Sequence, residues 1–332
     1  MSDKIFVIGS NSFSGSNFID YALRDGATVT GISRSNEAAK VFLPYRWHGE
    51  EGIKGFRFYQ FDINHDLDSI VELIHEFRHD YVVNFAAQSM VAESWQNPDQ
   101  WMMTNVVSNV RFHDKLRKCS FLKKYVHVST PEVYGSCSGL VKENTSYNPS
   151  TPYAVSRAAC DMSLMTFLKN YDFPVVFTRA SNVYGPGQQL YRIIPKTILS
   201  IKLGKKIPLH GGGHSVRSFI DIADVADGTL RVARCASPGH IYHLSTTRNI
   251  SIRDLVKLIC ERMNMDIEDA VEISDDRPGK DAAYLLDSGT ARDKLGWNDR
   301  ISLEQGIDDT IKWIEDNLEI LSDIPMVYIH KP

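Results

Sequence analysis

The sequence predicts an α/β fold in which a doubly wound parallel sheet is joined by a smaller, discontinuous C-terminal lobe. Two observations lead to this prediction. Short, continuously apolar segments such as "KIFVIG" (4–9) and "DYVVNFAA" (80–87) alternate with segments of helical periodicity through the first half of the chain. After about residue 186 this alternation is interrupted. Strands that are apolar on both faces are typical of parallel sheets covered by helices on each side.

The elements of the first half follow each other in strict alternation. The predicted strands are, in chain order, "KIFVIG", "TVTGIS", "FRFYQFDI", "DYVVNFAA", "KYVHVST" and "PVVFTRAS". The predicted helices are "SGSNFIDYALRDG", "DLDSIVELIHEF", "TNVVSNVRFHDKLRKC" and "AVSRAACDMSLMTFLKNY". Alternation of this kind builds a sheet of the Rossmann type, which binds its ligands beyond the carboxyl ends of the strands.

The second half supplies the smaller lobe and a return to the sheet. A helix ("IIPKTILSIKLGKK") and a short strand ("IPLHGGG") precede the returning segments "SFIDIADVADGTLRVARC" and "IYHLST". Two more helices follow, "SIRDLVKLICERM" and "LEQGIDDTIKWIEDNL". We therefore predict a sheet domain of residues 1–185 plus about 217–250, a lobe of about 186–216 plus 251–332, and a binding cleft between them.

Composition narrows the class of protein. The 332 residues carry 37 Lys and Arg against 41 Asp and Glu, and the basic residues are scattered, so nucleic acid is not an expected partner. Five cysteines without a C-x-x-C pair favour reduced thiols and a cytoplasmic location. No apolar run reaches membrane-spanning length, so no membrane partner is expected. No His, Cys, Asp or Glu cluster has metal-ligand spacing, so no metal is expected.

A glycine loop, "VIGSNSFSGSNF" (7–18), follows the first predicted strand and opens the first helix. Its candidate ligand-binding residues are Gly9, Ser12, Phe13 and Gly15. Small residues here let the backbone approach a pyrophosphate, and the helix N-terminus offers N–H donors. The loop therefore predicts a dinucleotide cofactor. A plain strand-to-helix turn is the alternative, since such turns favour glycine as well.

The ends of the next strands complete the predicted cofactor site. The second strand ends with Ser33 and Arg34, where an acidic residue would bind the ribose of NAD. Arg34 instead favours a 2′-phosphate, so NADP is preferred to NAD, unless Arg34 is a solvated surface residue. Asp62, followed by Ile63, is placed to receive the adenine amino group or to cap a helix. Ala86 follows the fourth strand and adjoins the same site.

A candidate acid–base unit lies around the stretch "VHVSTPEVYGS" (126–136). It carries Thr130 and Glu132 at the end of the fifth predicted strand. Tyr153 and Arg157 are four residues apart on a predicted helix and so share one face. A fixed cation beside a tyrosine favours the phenolate, which can accept a proton from an alcohol or sugar hydroxyl. The Tyr153–Arg157 spacing alone could arise by chance, and a glutamate at the end of a strand can also cap a helix.

These motifs together resemble the extended short-chain dehydrogenase/reductases, and among them the dTDP-glucose and GDP-mannose 4,6-dehydratases. The resemblance runs nearly end to end. It rests on "GSNSFSG", "NFAAQSMVAESWQNPDQWMMTNV", "VHVSTPEVYGS", "PSTPYAVSRAA", "TRASNVYGPGQQ", "IPLHGGGHSVRSFIDIADVADG" and "DRPGKDAAYLLDSGTARDKLGW". It implies a cytoplasmic lyase with a tightly held NAD(P), whose product is an NDP-4-keto-6-deoxyhexose.

The resemblance also implies the order of the chemistry. The sugar is oxidised at C4, Glu132 removes the C5 proton, water leaves from C6, and hydride returns to C6. Thr130, Tyr153 and Arg157 complete the implied catalytic set, and Tyr153 and Arg157 also contact the cofactor.

The chain departs from the family pattern at four points. Pro131 stands where an acid often protonates the leaving hydroxyl, and Arg157 stands where lysine is usual. Ser12 replaces a glycine, and Lys280 stands where the dTDP-glucose type usually shows a histidine.

The resemblance further assigns the nucleotide sugar to the smaller lobe. Arg217 and Arg277 match positions that face the diphosphate, although surface salt bridges with nearby aspartates are the alternative. Asn182 matches a residue that contacts the substrate phosphate, or else is a turn residue. Gln88 and Ser89 lie beyond the fourth strand and could reach sugar hydroxyls.

Two helical stretches suggest an oligomer. The helices "TNVVSNVRFHDKLRK" and "AVSRAACDMSLMTFLKNY" resemble the pair that forms the dimer interface in this superfamily, so a homodimer is expected. Burial of their apolar stripes against the sheet would explain the same residues.

Other activities stay open at this stage. A UDP-glucuronate decarboxylase carries Ser-x-Glu at the point where this chain has Thr130-Pro131-Glu132, so Glu132 does not exclude that activity. A C4 epimerase needs no C5 base, and a 5,6-dehydratase would end at an alkene. A non-enzymatic protein with a decayed site is a further alternative, favoured by Pro131 and Arg157 and opposed by the joint presence of Thr130, Glu132 and Tyr153.

Overall fold

Parallel strands form the centre of the molecule. In this computed structural model the residues described are 2–137, 139–274 and 285–331. The strands are β1 (Lys4–Ile8), β2 (Thr28–Ser33), β3 (Phe56–Gln60), β4 (Tyr81–Asn84), β5 (Lys124–Val128), β6 (Leu140–Val141), β7 (Val175–Ala180), β8 (Asn182–Tyr184), β9 (Ile207–His210), β10 (Val216–Arg217), β11 (Phe219–Asp221), β12 (Ile241–Leu244), β13 (Ile250–Ser251), β14 (Val271–Ser274) and β15 (Leu285–Leu286).

Helices connect these strands. They are α1 (Phe13–Arg24), α2 (Gly49–Gly52), α3 (Leu67–Phe77), α4 (Val91–Ser94), α5 (Pro98–Met102), α6 (Asn109–Leu116), α7 (Pro152–Tyr171), α8 (Ile193–Lys202), α9 (Ile222–Cys235), α10 (Ile252–Arg262), α11 (Ile267–Ala270), α12 (Gly289–Leu295), α13 (Leu303–Asp316) and α14 (Leu318–Ser322). Four 3₁₀ turns (Lys40–Phe42, Pro44–Arg46, Pro131–Tyr134, Gly211–Gly213) and a π-helical segment (Met103–Ser108) are also present among the described residues.

Seven strands form one parallel sheet in the order β12-β7-β5-β4-β1-β2-β3. The chain runs outward from β1 in both directions, so the order reverses between β1 and β4. In a doubly wound sheet, ligands bind at this point, beyond the carboxyl ends of the strands. The predicted Rossmann-type fold is confirmed.

The sequence of β1 explains why the sheet is covered on both sides. Its apolar residues alternate between two faces, with Ile5 and Val7 in one buried cluster and Phe6 and Ile8 in another. Successive side chains of a strand point to opposite faces, so a continuously apolar strand needs helices on each side. One face is covered in part by α1 and α9, the other by α3, α6 and α7.

A third buried cluster belongs to the later part of the chain. It joins α8, α10 and α13 through residues such as Ile198, Leu255 and Ile307. The short strands β9 and β14 pair in parallel beside it. The predicted division of the chain into two lobes stays a prediction, and Arg277 and Lys280 lie outside the described residues. None of the helices described has the length and apolarity needed to cross a membrane.

Candidate active site

Two adjoining cavities lie at the carboxyl edge of the sheet. The larger has a volume of about 730 Å³ and the smaller about 160 Å³. Both are lined by Ser12, Phe85 and Ala87, so they meet at the glycine loop and the end of β4. The predicted site residues that the structure describes line one or the other, with the exception of Gly15, which lies in the first turn of α1 behind the loop.

The glycine loop brings the chain unusually close to β4 and to itself. Gly9 has a φ of 84°, and a Cβ there would lie 2.8 Å from the backbone nitrogen of Ala86. A Cβ on Gly15 would lie 2.3 Å from the carbonyl oxygen of Gly9. Only glycine fits either position. The loop is therefore built for close backbone approach, as the sequence predicts.

Ser12 has a structural task in this loop. Its hydroxyl donates to the carbonyl oxygen of Gly9 at 2.7 Å and accepts from the N–H of Gly15 at 3.0 Å. It is thus the N-cap of α1. The side chain that replaces the usual glycine turns toward the loop's own backbone instead of filling the space a pyrophosphate would need.

The smaller cavity collects the predicted adenosine-side residues. Its lining includes Gly9, Ser33, Arg34, Asp62, Ile63 and Ala86, together with Gln88, Asn64 and Thr104. Gln88, expected to reach the sugar, therefore lines the smaller cavity, whereas Ser89 lines the larger cavity. The carboxylate of Asp62 accepts from the N–H of Asn64 at 2.8 Å, so it also stabilises the turn after β3. Sequence reasoning missed Asn64, which belongs to no quoted motif, and Thr104, which lies in the stretch 84–106 but was not singled out there.

These features fit a dinucleotide. The glycine loop leads directly into the start of α1. There, backbone N–H groups and the helix dipole favour phosphate oxygens. A pocket at the ends of β2 and β3 is the place where a doubly wound sheet receives adenosine. The larger cavity continues from this loop toward Thr130, Tyr153 and Arg157.

Glu132 is placed by the way β5 ends. The strand stops at Val128, Thr130 caps the following 3₁₀ turn, and Pro131 occupies its first position. The N–H of Glu132 donates to the Thr130 hydroxyl at 3.3 Å. Proline suits the first position of such a turn because its missing N–H has no partner there. The turn brings Glu132 into the lining of the larger cavity.

Tyr153 lies in the first turn of α7, next to Glu132. Thr151 caps this helix by accepting from the N–H of Ala154 at 3.1 Å. Burial first, and the Glu132 carboxylate second, raise the pKa of Tyr153 above its ordinary value. Arg157, a hydrogen bond with Thr130 and Arg192 act in the opposite direction and lower that pKa. The four predicted catalytic residues thus form one electrostatic unit.

Positively charged side chains outnumber negatively charged ones in the described lining of the larger cavity. Arg157, Arg192, Lys196 and Arg217 line it, whereas Glu132 is the only carboxylate among its described lining residues. Sequence reasoning missed Arg192 and Lys196. Their four-residue spacing at the start of α8 was a usable signal, since it places both on one helix face. An excess of cations suits an anionic ligand.

Comparison with known proteins assigns the chain to a family. The family model of GDP-mannose 4,6 dehydratase matches residues 6–310. The chain belongs to this family. It is 30% identical to a probable dTDP-glucose 4,6-dehydratase of Sinorhizobium fredii, over 95% of this chain and 93% of that protein. A solved dTDP-glucose 4,6-dehydratase of Streptomyces venezuelae with NAD bound gives a TM-score of 0.86 at 28% identity, covering 95% and 98% of the two chains.

Longer relatives match as well. The chain is 34% identical to a trifunctional UDP-glucose 4,6-dehydratase/UDP-4-keto-6-deoxy-D-glucose 3,5-epimerase/UDP-4-keto-L-rhamnose-reductase of Arabidopsis thaliana, over 76% of this chain. It spans only 38–42% of the length of three such relatives. The resemblance to nucleotide-sugar 4,6-dehydratases that the motifs suggest is confirmed.

In this member of the dehydratase family, Arg157 is buried in the lining of the larger cavity. It is 2% exposed. Its Nη2 donates to the carbonyl oxygen of Val128 and lies 3.3 Å from Nε2 of His127. Its Nε and Nη1 are buried without a hydrogen-bond partner among the described residues. The guanidinium is therefore held in place by residues of β5.

A buried polar network continues behind Arg157. Asp161 accepts from Arg179 at 2.8 Å and from the Ser129 hydroxyl at 2.7 Å. Burial first, and then Arg157, hold the pKa of His127 well below its ordinary value, so the ring is neutral. Its Nε2 then accepts from Arg157, since guanidinium only donates. Asp161 is thus paired with Arg179, whereas Arg157 lies beside the neutral ring of His127.

Three possible metal ligands meet in the same region, against the expectation of no such cluster. His113, His127 and Cys160 place ligand atoms within 4.8 Å of one another, all buried. Burial raises the pKa of the Cys160 thiol to about 12, so the thiolate that binds metals is disfavoured. Nε2 of His113 is hydrogen-bonded to the Tyr125 hydroxyl at 2.9 Å, and Arg157 lies close by. The cluster is better described as core than as a metal centre.

Proposed function

We propose that the chain is an NAD(P)-dependent nucleotide-sugar 4,6-dehydratase. One observation carries the proposal: Glu132, the only carboxylate among the described lining residues, faces a cavity rich in cations that adjoins the smaller cavity at the glycine loop. A nucleoside diphosphate sugar would place its diphosphate against the cations. Its hexose would then lie between Tyr153 and Glu132.

Tyr153 is proposed to move the proton of the C4 hydroxyl. A bound nicotinamide dinucleotide would supply the acceptor and later the donor of hydride. Thr130, Arg157 and Arg192 each lower the pKa of Tyr153 against the effect of burial, so they support the phenolate. The first turn of α7, at its positive dipole end, acts in the same direction.

Glu132 is proposed to remove the C5 proton and return it to the hydroxyl that leaves C6. The C5–H bond breaks with its electrons staying on the sugar, the C6–O bond breaks, and proton and hydroxide depart as water. Pro131 offers no acid, and no second carboxylate lines the described part of the cavity. The same side chain can serve both steps because it becomes a carboxylic acid after the first.

Arg217 and Asn182 are proposed to bind the diphosphate and Ser89 a sugar hydroxyl. All three line the larger cavity. The Asn182 amide nitrogen donates to the carbonyl oxygen of Ser218 at 3.1 Å, which fixes its side chain beside the cavity. The relatives named above act on dTDP-glucose or UDP-glucose by their names, so these two are the first candidates for the substrate.

We also propose a homodimer. Val155 and Met162, seven residues apart on α7, are 40% and 50% exposed, and Met103 on the neighbouring π-helical segment is 46% exposed. Residues seven apart share a helix face, so these apolar side chains belong to one surface. Light scattering should give twice the chain mass, and Met162→Glu should lower it to one chain. A monomeric parent chain would contradict this proposal.

Product analysis tests the proposed function. The purified protein is incubated with dTDP-glucose, UDP-glucose, GDP-mannose or UDP-glucuronate, with NAD or NADP, and followed by mass spectrometry and proton NMR. Loss of one water with a new C6 methyl signal is expected from a hexose substrate. Loss of carbon dioxide from UDP-glucuronate would indicate a decarboxylase, an alkene signal a 5,6-dehydratase, and inversion at C4 without mass change an epimerase. No reaction with dinucleotide bound would indicate a decayed site.

A further inference from the structure

Residues 326–331, here called the clasp, form neither a helix nor a strand and lie along the outside of the two cavities. Met326, Tyr328 and His330 are partly buried, whereas Val327 and Ile329 are each 64% exposed. One side of the clasp therefore faces the protein and the other faces water.

The inward side chains of the clasp dock on residues around both cavities. The Tyr328 ring meets Tyr191, a residue of the larger cavity, with centroids 5.4 Å apart in an edge-to-face arrangement. The His330 ring stacks on Trp101 at 5.3 Å, and its Nε2 lies 2.6 Å from the side-chain oxygen of Gln100. Paired rings and a hydrogen bond of this kind define one position for the clasp.

The last described residue of the clasp reaches the smaller cavity. The carbonyl oxygen of Lys331 accepts from Arg34 Nη2 at 2.8 Å and from Gln88 Nε2 at 3.0 Å. Both donors line the smaller cavity. The backbone N–H of Gln88 is in turn held by Asn105 at 2.9 Å. The clasp thus joins the exposed residue Arg34 to the buried residue Gln88 of the same cavity.

We infer that the clasp closes the dinucleotide site by accepting a hydrogen bond from Arg34 through Lys331. Because Arg34 is engaged in this contact, the chain binds NAD in preference to NADP. The inference rests on the proposed nicotinamide dinucleotide site. It reverses the preference that Arg34 suggests in the sequence, because the arginine expected to receive a 2′-phosphate already donates to Lys331.

The charges of the smaller cavity support this choice. Arg34 is the one cation among its described lining residues, and Asp62 is the one carboxylate. A 2′-phosphate would have to compete with Lys331 for Arg34 and would meet the Asp62 charge. The ribose hydroxyl of NAD carries no charge and needs neither contact. Release of NAD would require the clasp to leave Arg34, Gln88 and Gln100.

Removal of residues 327–332 tests the inference. The cut leaves Met326 with its buried neighbours and deletes Val327 and Ile329, which are exposed. Binding of NAD and of NADP is measured by calorimetry on dinucleotide-free protein, and NAD release by stopped-flow displacement. The full chain should bind NAD at least about tenfold more tightly than NADP. The shortened chain should lose most of that preference and release NAD about tenfold faster, as expected for the loss of one or two hydrogen bonds to a charged group.

Point variants keep the test valid if the shortened chain folds poorly. His330→Ala removes the stacking on Trp101 and the hydrogen bond to Gln100, and should reproduce the effect in part. Val327→Ala changes the outward side and should behave as the parent chain. Arg34→Ala in the shortened chain should abolish its gain in NADP binding, because the released arginine is the source of that gain.

The outcomes separate two kinds of failure. Equal NAD-to-NADP preference and equal release rates in the full and shortened chains, or in the parent and His330→Ala, would overturn the clasp. A full chain that prefers NADP would overturn it too. Absence of binding of either dinucleotide to every variant would instead overturn the proposed function and, with it, the clasp.

Discussion

Arg157 and Arg34, both expected at the cofactor, lie at opposite ends of the site in opposite surroundings. Arg157 is 2% exposed and donates to the carbonyl oxygen of Val128 within a buried network. Arg34 is exposed and donates to the carbonyl oxygen of Lys331. Each arginine is bound by the chain's own backbone, yet only one of them is removed from water.

This difference shows which arginine can affect chemistry and which can affect exchange of the cofactor. A buried cation acts strongly on its neighbours because little water screens it. Arg157 accordingly lowers the pKa of Tyr153. A hydrated cation is screened, and its contacts form and break at small cost. Arg34 is therefore suited to a contact that opens to admit or release a dinucleotide.

Glu132→Gln should have the largest effect on turnover. It distinguishes the role of the larger cavity in turnover from the role of the smaller cavity in dinucleotide binding. Turnover should fall about 10³-fold, since the amide cannot take the C5 proton. Dinucleotide affinity should not change, because Glu132 lines the larger cavity and not the smaller one. Steady-state rates and calorimetry provide the two measurements, with Glu132→Asp as the control that keeps a carboxylate. Turnover within tenfold of the parent chain would remove Glu132 from the catalytic role.

Arg157→Met should come next and is the sharpest test of the buried region. Without the guanidinium the pKa of Tyr153 rises, so the pH at which the rate climbs should move upward. Each pKa unit costs about tenfold in rate at neutral pH. Loss of the donor to Val128 should also lower the free energy of unfolding by about 1–3 kcal/mol. Arg157→Lys keeps the charge and should leave the pH profile nearer to that of the parent.

An unchanged pH profile in Arg157→Met would show that the two arginines do not differ in the way proposed. The profile is read as kcat against pH, with urea unfolding measured on the same preparations. A change in stability alone, without a shift of the profile, would assign Arg157 to the core and not to Tyr153.

The buried histidines predict a smaller, general effect on stability. Burial lowers the pKa of His79 to about 4 and those of His113 and His243 to about 3. The unfolded chain binds these protons near pH 6.5 and the folded chain does not, so stability falls as the pH drops below 6.5. Asp221, whose pKa burial raises to about 7, opposes this with one proton.

The net effect of these groups should be a loss of at least about 1 kcal/mol of unfolding free energy per pH unit between pH 6 and 5. Urea denaturation at a series of pH values measures it. His113→Phe removes one titrating group from the unfolded chain and should flatten the slope. A level profile would show that the buried histidines titrate as they do in water.

Arg34→Met should have the smallest effect on the fold. The free energy of unfolding should stay within about 0.5 kcal/mol of the parent, since the side chain is exposed and donates to the backbone of the clasp. Dinucleotide release should nevertheless become faster. Thermal unfolding and stopped-flow displacement distinguish the two quantities. A large loss of stability would mean that Arg34 belongs to the core contacts of the chain.

Much of the fold could be predicted because its signals are local. The apolar runs of β1 and β4 and the periodicity of α3 and α7 depend on a few consecutive residues. Part of the glycine loop is equally local, since Gly15 is required by its close approach to the carbonyl oxygen of Gly9, whereas Gly9 is required by its approach to Ala86 at the end of β4. Thr130, Glu132 and Tyr153 could be selected because they stand in recognisable motifs.

Other features depend on residues far apart in the chain. Gln88 lines the smaller cavity, and its side chain donates to Lys331, 243 positions later. Arg192 and Lys196 become site residues only when α8 is packed beside the cavity. The direction of Arg157 depends on His127 and Val128, 30 and 29 positions earlier. No local pattern contains such contacts.

The sequence by itself determined the parallel sheet, the glycine loop, the family and the candidate acid–base residues, because periodicity and motif are properties of neighbouring residues. The tertiary structure alone decided the surroundings of each charge. It buried Arg157 among neutral histidines, turned Ser12 into a helix cap, and brought residues 326–331 to Arg34. Burial and long-range contact set the strength of a charge, and both arise only when distant segments pack together.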